Sequence, residues 1–241
     1  MVRSDANLRT RHSSSFIHRH NPIALPMNLQ AALFDLDGTL FDTEGQYTIY
    51  WEKIGRQYHP EIADFAHIIK GTTLVNILDT YFNTPALQKE IVQSLNEHEA
   101  KMRYHFMPGA VDFLNDLRSH GVKMAVVTSS NKQKMARVEE QMPEFATLFD
   151  SILTAEHFAH SKPHPDCYLK GAATFGLKPQ ECVVFEDAYS GLAAGMAAGM
   201  FTFGITTCNP REAIEDKCSY VIDTFEDLSY QKVIEITKNY E

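Results

Sequence analysis

From Gln30 onward the chain alternates short apolar runs with helical stretches, and no other feature constrains its fold as much. The runs are AALFDL from Ala31, KMAVVTS (Lys123 to Ser129), SILTA (Ser151 to Ala155), CVVFED (Cys182 to Asp187) and FTFGI (Phe201 to Ile205). Between them helices are predicted over Gly109 to Ser119, Lys132 to Gln141, Asp166 to Phe175 and Ser190 to Ala198. Strand and helix in regular succession make parallel βα units. Runs apolar at nearly every position are buried on both faces. The expected fold is therefore α/β, a doubly wound, Rossmann-like parallel sheet.

One segment breaks the alternation. Between about Glu44 and Phe106 the apolar residues, among them Ile68, Ile69, Leu74, Ile77, Leu78 and Tyr81, fall at helical spacing with no strand among them. MPG at Met107 to Gly109 reads as the hinge by which this insertion returns. Three parts are expected: an N-terminal extension over 1–27, a core built from 28–42 and 108–241, and a helical cap over 43–107. A helical unit over the end of a sheet can serve as a lid.

The extension is unlike the rest, with Arg3, Arg9, Arg11 and Arg19 against a single Asp5. It lacks the apolar stretch of a secretory signal. Its low hydrophobicity predicts disorder, with Met27 as an alternative start. The formal net charge of −9 argues against binding the phosphate backbone of nucleic acids. No stretch reaches the roughly 18 apolar residues of a membrane span. Cys167, Cys182, Cys208 and Cys218 form no C-x-x-C pair, so reduced thiols in a cytoplasmic protein are expected, as a monomer or weak homodimer.

In an open α/β sheet the ligand site lies beyond the carboxyl ends of the strands. Those ends hold Asp35 and Asp37, then Thr128 and Ser129, then Glu186 and Asp187, with Lys162 in a loop before a helix. Each has an ordinary use elsewhere: a turn hydroxyl, a surface lysine, acids at a helix start. Their arrival at one sheet edge is harder to explain that way. Asp35 and Asp37 stand among Leu33, Phe34, Leu36, Leu40 and Phe41, and buried carboxylates need a partner or a cation. DLDGTLFDTEGQ begins like a calcium loop but has Leu40 where the loop needs glycine and Gln46 where it needs glutamate. There is no phosphate loop of the G-x-x-x-x-G-K-[ST] type and no G-x-S-x-G elbow. His157, His160 and His164 are read as surface residues, because Pro163 interrupts any shared helical face.

Four stretches, DLDGTLFDT, VVTSSN, SKPHPD and VVFEDAYSGLAAGMAAG, resemble in order the motifs of the haloacid dehalogenase superfamily. The helical insertion resembles the branch that holds β-phosphoglucomutase and the small sugar-phosphate phosphatases. The resemblance runs from about residue 30 to about residue 225. It implies that Asp35 is the nucleophile, forming an aspartyl-phosphate, and that Asp37 protonates the leaving oxygen and then activates water. It implies Mg²⁺ held by Asp35, the Asp37 carbonyl and Asp187, with Glu186 nearby or acting through water. Thr128 and the Ser129 backbone would hold the phosphoryl oxygens, and Lys162 would offset charge on phosphate and Asp35. Gly38 would leave room for a sharp turn and for substrate, while Gly191, Gly195 and Gly199 are read as close helix packing.

Glu44, Tyr47, Lys70 and Gly71 are candidates for substrate contact, with Gln46 and Trp51 as further pocket residues. The mutases carry a histidine where this chain has Tyr47, and a lid arginine where it has Leu74. Both departures favour a phosphatase acting on a small phosphate ester. A β-phosphoglucomutase-type isomerase is the alternative. A non-catalytic phosphate-binding module has no need of Asp35 and Asp37 together, and a dehalogenase needs neither Asp37 nor the metal acids.

Overall fold

The computed structural model describes residues 28–239, so the extension expected over 1–27 lies outside the described residues. The chain runs β1 (Ala31–Phe34), α1 (Glu44–Tyr58), α2 (Phe65–Ile68), α3 (Leu74–Tyr81), α4 (Pro85–Glu99), α5 (Ala110–Ser119), β2 (Lys123–Val127), α6 (Lys132–Gln141), β3 (Ser151–Leu153), α7 (Asp166–Thr174), β4 (Cys182–Glu186), α8 (Tyr189–Ala197), β5 (Phe201–Ile205), α9 (Arg211–Ile214), β6 (Tyr220–Ile222) and α10 (Tyr230–Lys238). All pairings in the six-stranded sheet are parallel, in the order β3-β2-β1-β4-β5-β6. The order reverses beside β1, which makes the carboxyl end of β1 a switch point where the flanking loops part.

Alternation along β1 assigns its residues to two cores. Ala32 and Phe34 face the layer that includes Phe113 and Leu117 of α5, Val138 of α6 and Val233 of α10. Ala31 and Leu33 face Cys167, Tyr168 and Ala172 of α7 and Ala194 of α8. Period-two alternation between two apolar layers is what makes the strand read as continuously hydrophobic. Phe34, Phe185 and Phe203 are register partners on β1, β4 and β5, and their rings stack at 4.8 Å between successive centroids. A one-residue slip would turn each ring to the opposite layer.

Helices α1 to α4 close on a core of their own, which includes Trp51, Ile54, Phe65, Ile77, Phe82 and Ile91. Thr73 and Thr84 cap α3 and α4 by accepting the N–H groups of Asn76 and Leu87. The chain enters and leaves this unit through two short antiparallel stretches. The Asp42 N–H donates to the His105 carbonyl at 3.0 Å, and the Met107 N–H to the Leu40 carbonyl at 2.8 Å.

Several expectations are corrected. A sixth strand, β6, adds an edge to the sheet that the expected strands did not include. The first four strands stop one or two residues short of the predicted runs, so Asp35, Thr128 and Asp187 stand just beyond the ladder. Ile68 is 52% exposed whereas Ile69 is buried, because α2 is a single turn and carries no extended stripe. Gly199 does not pack a helix: it takes φ +73° just past α8 and ends it.

Candidate active site

The acidic and basic side chains at the β1 end come from several elements, and their pairing follows from burial. Asp35 follows β1 directly, with its N–H bonded to the Phe185 carbonyl. Lys162 reaches it from the loop before α7 and is 2% exposed. The ammonium donates to Asp35 Oδ1 at 2.6 Å, to Glu186 Oε1 at 2.5 Å and to the Val127 carbonyl at 3.2 Å. One cation is thus shared by two buried carboxylates. Burial pushes the Asp35 carboxyl up to about 7, against the pull of Lys162 and with the help of Glu186.

Glu186 is occupied on both oxygens. Besides Lys162, the Tyr168 hydroxyl donates to Oε1 at 2.9 Å, and the N–H groups of Asp187 and Ala188 donate to Oε2. Its evident work is to aim Lys162. Gly191 makes room for this: a Cβ there would lie inside the Glu186 carboxylate. Alanine in place of a helical glycine ordinarily stabilises by about 1 kcal/mol. Gly191→Ala is expected instead to cost about 1–3 kcal/mol, the range of an overpacked core, and to lower activity by displacing Glu186. Chemical denaturation alongside an activity assay checks this, and an unchanged midpoint contradicts it.

Asp187 has a different environment. Thr39 donates to its Oδ1 at 3.0 Å, and its carbonyl accepts from Asn209 Nδ2. Oδ2 is buried with no hydrogen-bond partner among the described residues. Burial, then Glu186, then Glu44 and Asp35, raise its carboxyl well above the usual range. One oxygen each of Asp35, Glu186 and Asp187 lie within 4.8 Å of one another. Five carboxylates crowd this end of the sheet, those of Asp35, Asp37, Glu44, Glu186 and Asp187. Three ammonium groups answer them: Lys162, Lys134 at Asp37, and Lys70 at Glu44. Of the two charges left unanswered, one falls at Asp187 and the other on the Asp35 and Glu186 pair that shares Lys162, and a hard divalent cation with oxygen ligands fits that set.

Asp37 is held by three donors. Thr43 Oγ1 donates to Oδ1 at 2.6 Å, Ser130 Oγ donates to Oδ2 at 2.9 Å, and Lys134 Nζ donates to Oδ2 as well. Burial alone would raise this carboxyl, but Lys134 and the two hydroxyls outweigh it and hold the group below the usual range. Gly38, at φ +82°, lets the chain turn between the two aspartates, and a Cβ there would strike the Asp187 and Glu44 side chains. The room it provides is occupied by acids rather than left open for substrate.

Asp35, Asp37, Glu44, Tyr47, Lys70, Gly71, Thr128 and Ser129 all line one cavity between the helical unit and the sheet. Lys162, Glu186 and Asp187 lie behind its wall. Thr128 Oγ1 accepts from the Ser130 N–H at 3.0 Å, which leaves its hydroxyl proton to point elsewhere. Ser129 uses its hydroxyl on the Gly71 carbonyl at 2.9 Å. Gly71, at φ +72°, presses so closely on Ser190 that a Cβ would collide with the hydroxyl. Glu44 and Lys70 pair across the cavity at 2.5 Å. The Tyr47 hydroxyl donates to Glu99 at 3.0 Å. Trp51 lines the cavity while packing in the helical core, whereas Gln46 bonds both ways with the Arg103 backbone, outside the cavity wall. His157, His160 and His164 are exposed, as expected.

Thr43, Ser130, Lys134 and Tyr168 were not singled out in the sequence. A signal existed for Lys134, which precedes Val138 by four residues on the buried stripe of α6.

A family profile described as haloacid dehalogenase-like hydrolase matches residues 32–205. Hexitol phosphatase A of Escherichia coli is 30% identical over 192 residues, covering 74% of this chain and 84% of that protein. Glycerol-1-phosphate phosphohydrolase 1 of Saccharomyces cerevisiae is 29% identical over 230 residues and covers 86% of each chain. The structure of β-phosphoglucomutase from Clostridium difficile superimposes with a TM-score of 0.73 at 23% identity, covering 88% of this chain and 98% of that one, a likeness of fold.

Proposed function

The chain belongs to the haloacid dehalogenase-like hydrolase family, and from that premise we propose that it is a Mg²⁺-dependent phosphatase of small hydroxylated esters, sugar or polyol phosphates, acting through an aspartyl-phosphate on Asp35. One observation carries the reading: Asp35 borders the cavity with a buried ammonium 2.6 Å behind it and an unpartnered Asp187 oxygen close by. A phosphatase of this kind is a phosphoric monoester hydrolase, as the two named relatives are.

The residues divide the work as follows. Lys162 favours the ionised form of Asp35 and aims it, so that one carboxylate oxygen attacks phosphorus while the bond to the leaving oxygen breaks. Asp37 gives that oxygen its proton. Water then enters, gives a proton to Asp37 and attacks the phosphorus, releasing inorganic phosphate and restoring Asp35. Thr128 donates its hydroxyl to the phosphoryl oxygens, with the Ser129 backbone beside it. Asp35, the Asp37 carbonyl and Asp187 would hold Mg²⁺, with Glu186 behind them, and the ion would neutralise the phosphoryl charge. The helical unit over 43–107 acts as a cap, and Glu44, Tyr47, Lys70 and Gly71 bring its wall to the substrate. Free thiols at Cys167, Cys182, Cys208 and Cys218 suit a reducing cytoplasm; among the described residues no helix is long and apolar enough to cross a membrane.

The cavity's charges support a neutral leaving group. Lys70 is the cation on its wall, already paired with Glu44, and Glu99 adds a further acid. A second phosphate would find no unpaired cation there among the described residues, which argues against the bisphosphate of a mutase cycle. The reading is tested by phosphate release from sugar phosphates, polyol phosphates, nucleotides and pyrophosphate, with Mg²⁺ and with chelator. Mg²⁺-dependent release led by the polyol and sugar monophosphates is the expected result. Isomerisation of β-glucose 1-phosphate without release would establish the mutase instead.

A further inference from the structure

The lysine at Asp37 has no place in the scheme so far. Lys134 is 1% exposed, yet it comes from α6, whose other charged residues are mostly exposed. Burying an ammonium is costly unless it is paired, and the Asp37 carboxylate is its ion-pair partner. The fit is constrained from the other side too. The Lys134 ammonium stands 4.5 Å from the centre of the Tyr47 ring. Tyr47 is fixed by its hydroxyl on Glu99, and Glu99 is fixed by Arg137 at 2.6 Å. Arg137 lies three residues after Lys134, so one face of α6 reaches both the sheet edge and the helical unit.

Asp37 is thereby oriented from three segments at once: Thr43 at the entry to the cap, Ser130 after β2 and Lys134 on α6. With both oxygens held by donors, the carboxylate is fixed in the direction from which it can take a proton. Taking a proton belongs to the second half of the reaction, when water attacks the aspartyl-phosphate. A phosphatase needs that step to be fast, whereas a mutase must let its phosphoenzyme survive until a sugar hydroxyl arrives.

We propose that Lys134 is a positioning residue that holds Asp37 ready to deprotonate water, and so commits the phosphoenzyme to hydrolysis. This rests on the phosphatase reading above. It assigns Lys134 no contact with substrate. Its removal therefore slows release of phosphate from Asp35 while leaving formation of the phosphoenzyme on an aryl ester intact, because p-nitrophenolate departs without a proton.

The test is rapid mixing of the full chain, Mg²⁺ and p-nitrophenyl phosphate, comparing wild type with Lys134→Met. The variant is expected to release close to one p-nitrophenol per active site at the wild-type initial rate. Steady turnover should then be about 100-fold slower, the scale of a misplaced catalytic group, and kcat should converge for different esters. A residue that merely supported the fold would lower the burst and the steady rate together, and that result overturns the proposal. So does an unchanged steady rate. Lys134→Gln, which keeps a donor and drops the charge, is read in the same way should the methionine chain not fold. If wild type itself releases no phosphate from any ester, the phosphatase reading has failed and this proposal with it. If wild type turns over and the variant shows no burst, only the proposal falls.

Discussion

Asp35→Asn is expected to leave a folded protein that releases no phosphate, with kcat lower by a factor on the order of 10⁴ or more, the scale of losing a nucleophile. The fold should survive because asparagine has nearly the same shape and its amide oxygen still accepts from Lys162, which keeps Glu186 as its ionic partner. A second readout comes from pH. The Asp35 carboxyl is pushed up to about 7, chiefly by burial, from an ordinary value of 3.8. Between those values the folded chain holds a proton that the unfolded chain has lost, so stability falls as pH rises from about 4 to about 7. Asp35→Asn removes part of that slope in metal-free protein. Asp187, raised by burial and by Glu186, supplies another part. Urea titrations across this window check the sign. A steeper decline in the variant, or retained turnover, would contradict the assignment.

Lys162→Met is expected to be the most destabilising single change at this end of the sheet. Its ammonium is the cation shared by Asp35 and Glu186, and removing one partner from a buried ion pair costs about 3–5 kcal/mol. Glu186 keeps the Tyr168 hydroxyl and two backbone N–H groups, so the loss centres on Asp35. Protonation of Asp35 limits the damage, and the variant should therefore be closer to wild type at pH 5 than at pH 8. Turnover should fall by about 10³-fold, since no other described cation faces Asp35. Denaturation at both pH values, with and without Mg²⁺, measures this. A variant within 1 kcal/mol of wild type at pH 8 would mean that Lys162 does not carry the charge of the pair.

How far the sequence could be read differs from residue to residue. The positions of Asp35, Thr128 and Asp187 were legible because each lies where an apolar run ends, and that of Lys162 because its loop precedes a helix at the same edge. The carboxyl ends of parallel strands converge whatever the loops do. Helix α6 was legible to the residue, Lys132 to Gln141, because Asn131 caps it and Met135 and Val138 mark its buried stripe. Gly199 was misread because a four-residue glycine spacing does not separate packing from a left-handed turn; only the backbone angle does.

The distribution of charge was not legible. Lys70 is a candidate for substrate contact, and its pairing with Glu44 could not be read from the sequence; nor could the bond from the Ser129 hydroxyl to the Gly71 carbonyl. Lys134 sits in a helix rich in charge, and nothing local distinguishes it from Lys132 except position on the stripe. Local periodicity by itself determined that this chain makes a parallel sheet with a helical insertion, and that acids and a lysine meet at one edge. Which lysine answers which acid depends on distances between residues far apart in sequence, Asp37 to Lys134 and Asp35 to Lys162. Only the packing of α6 and α7 on the sheet decided that. The reason is physical: periodicity is a property of neighbours along the chain, whereas desolvation and ion pairing belong to neighbours in space.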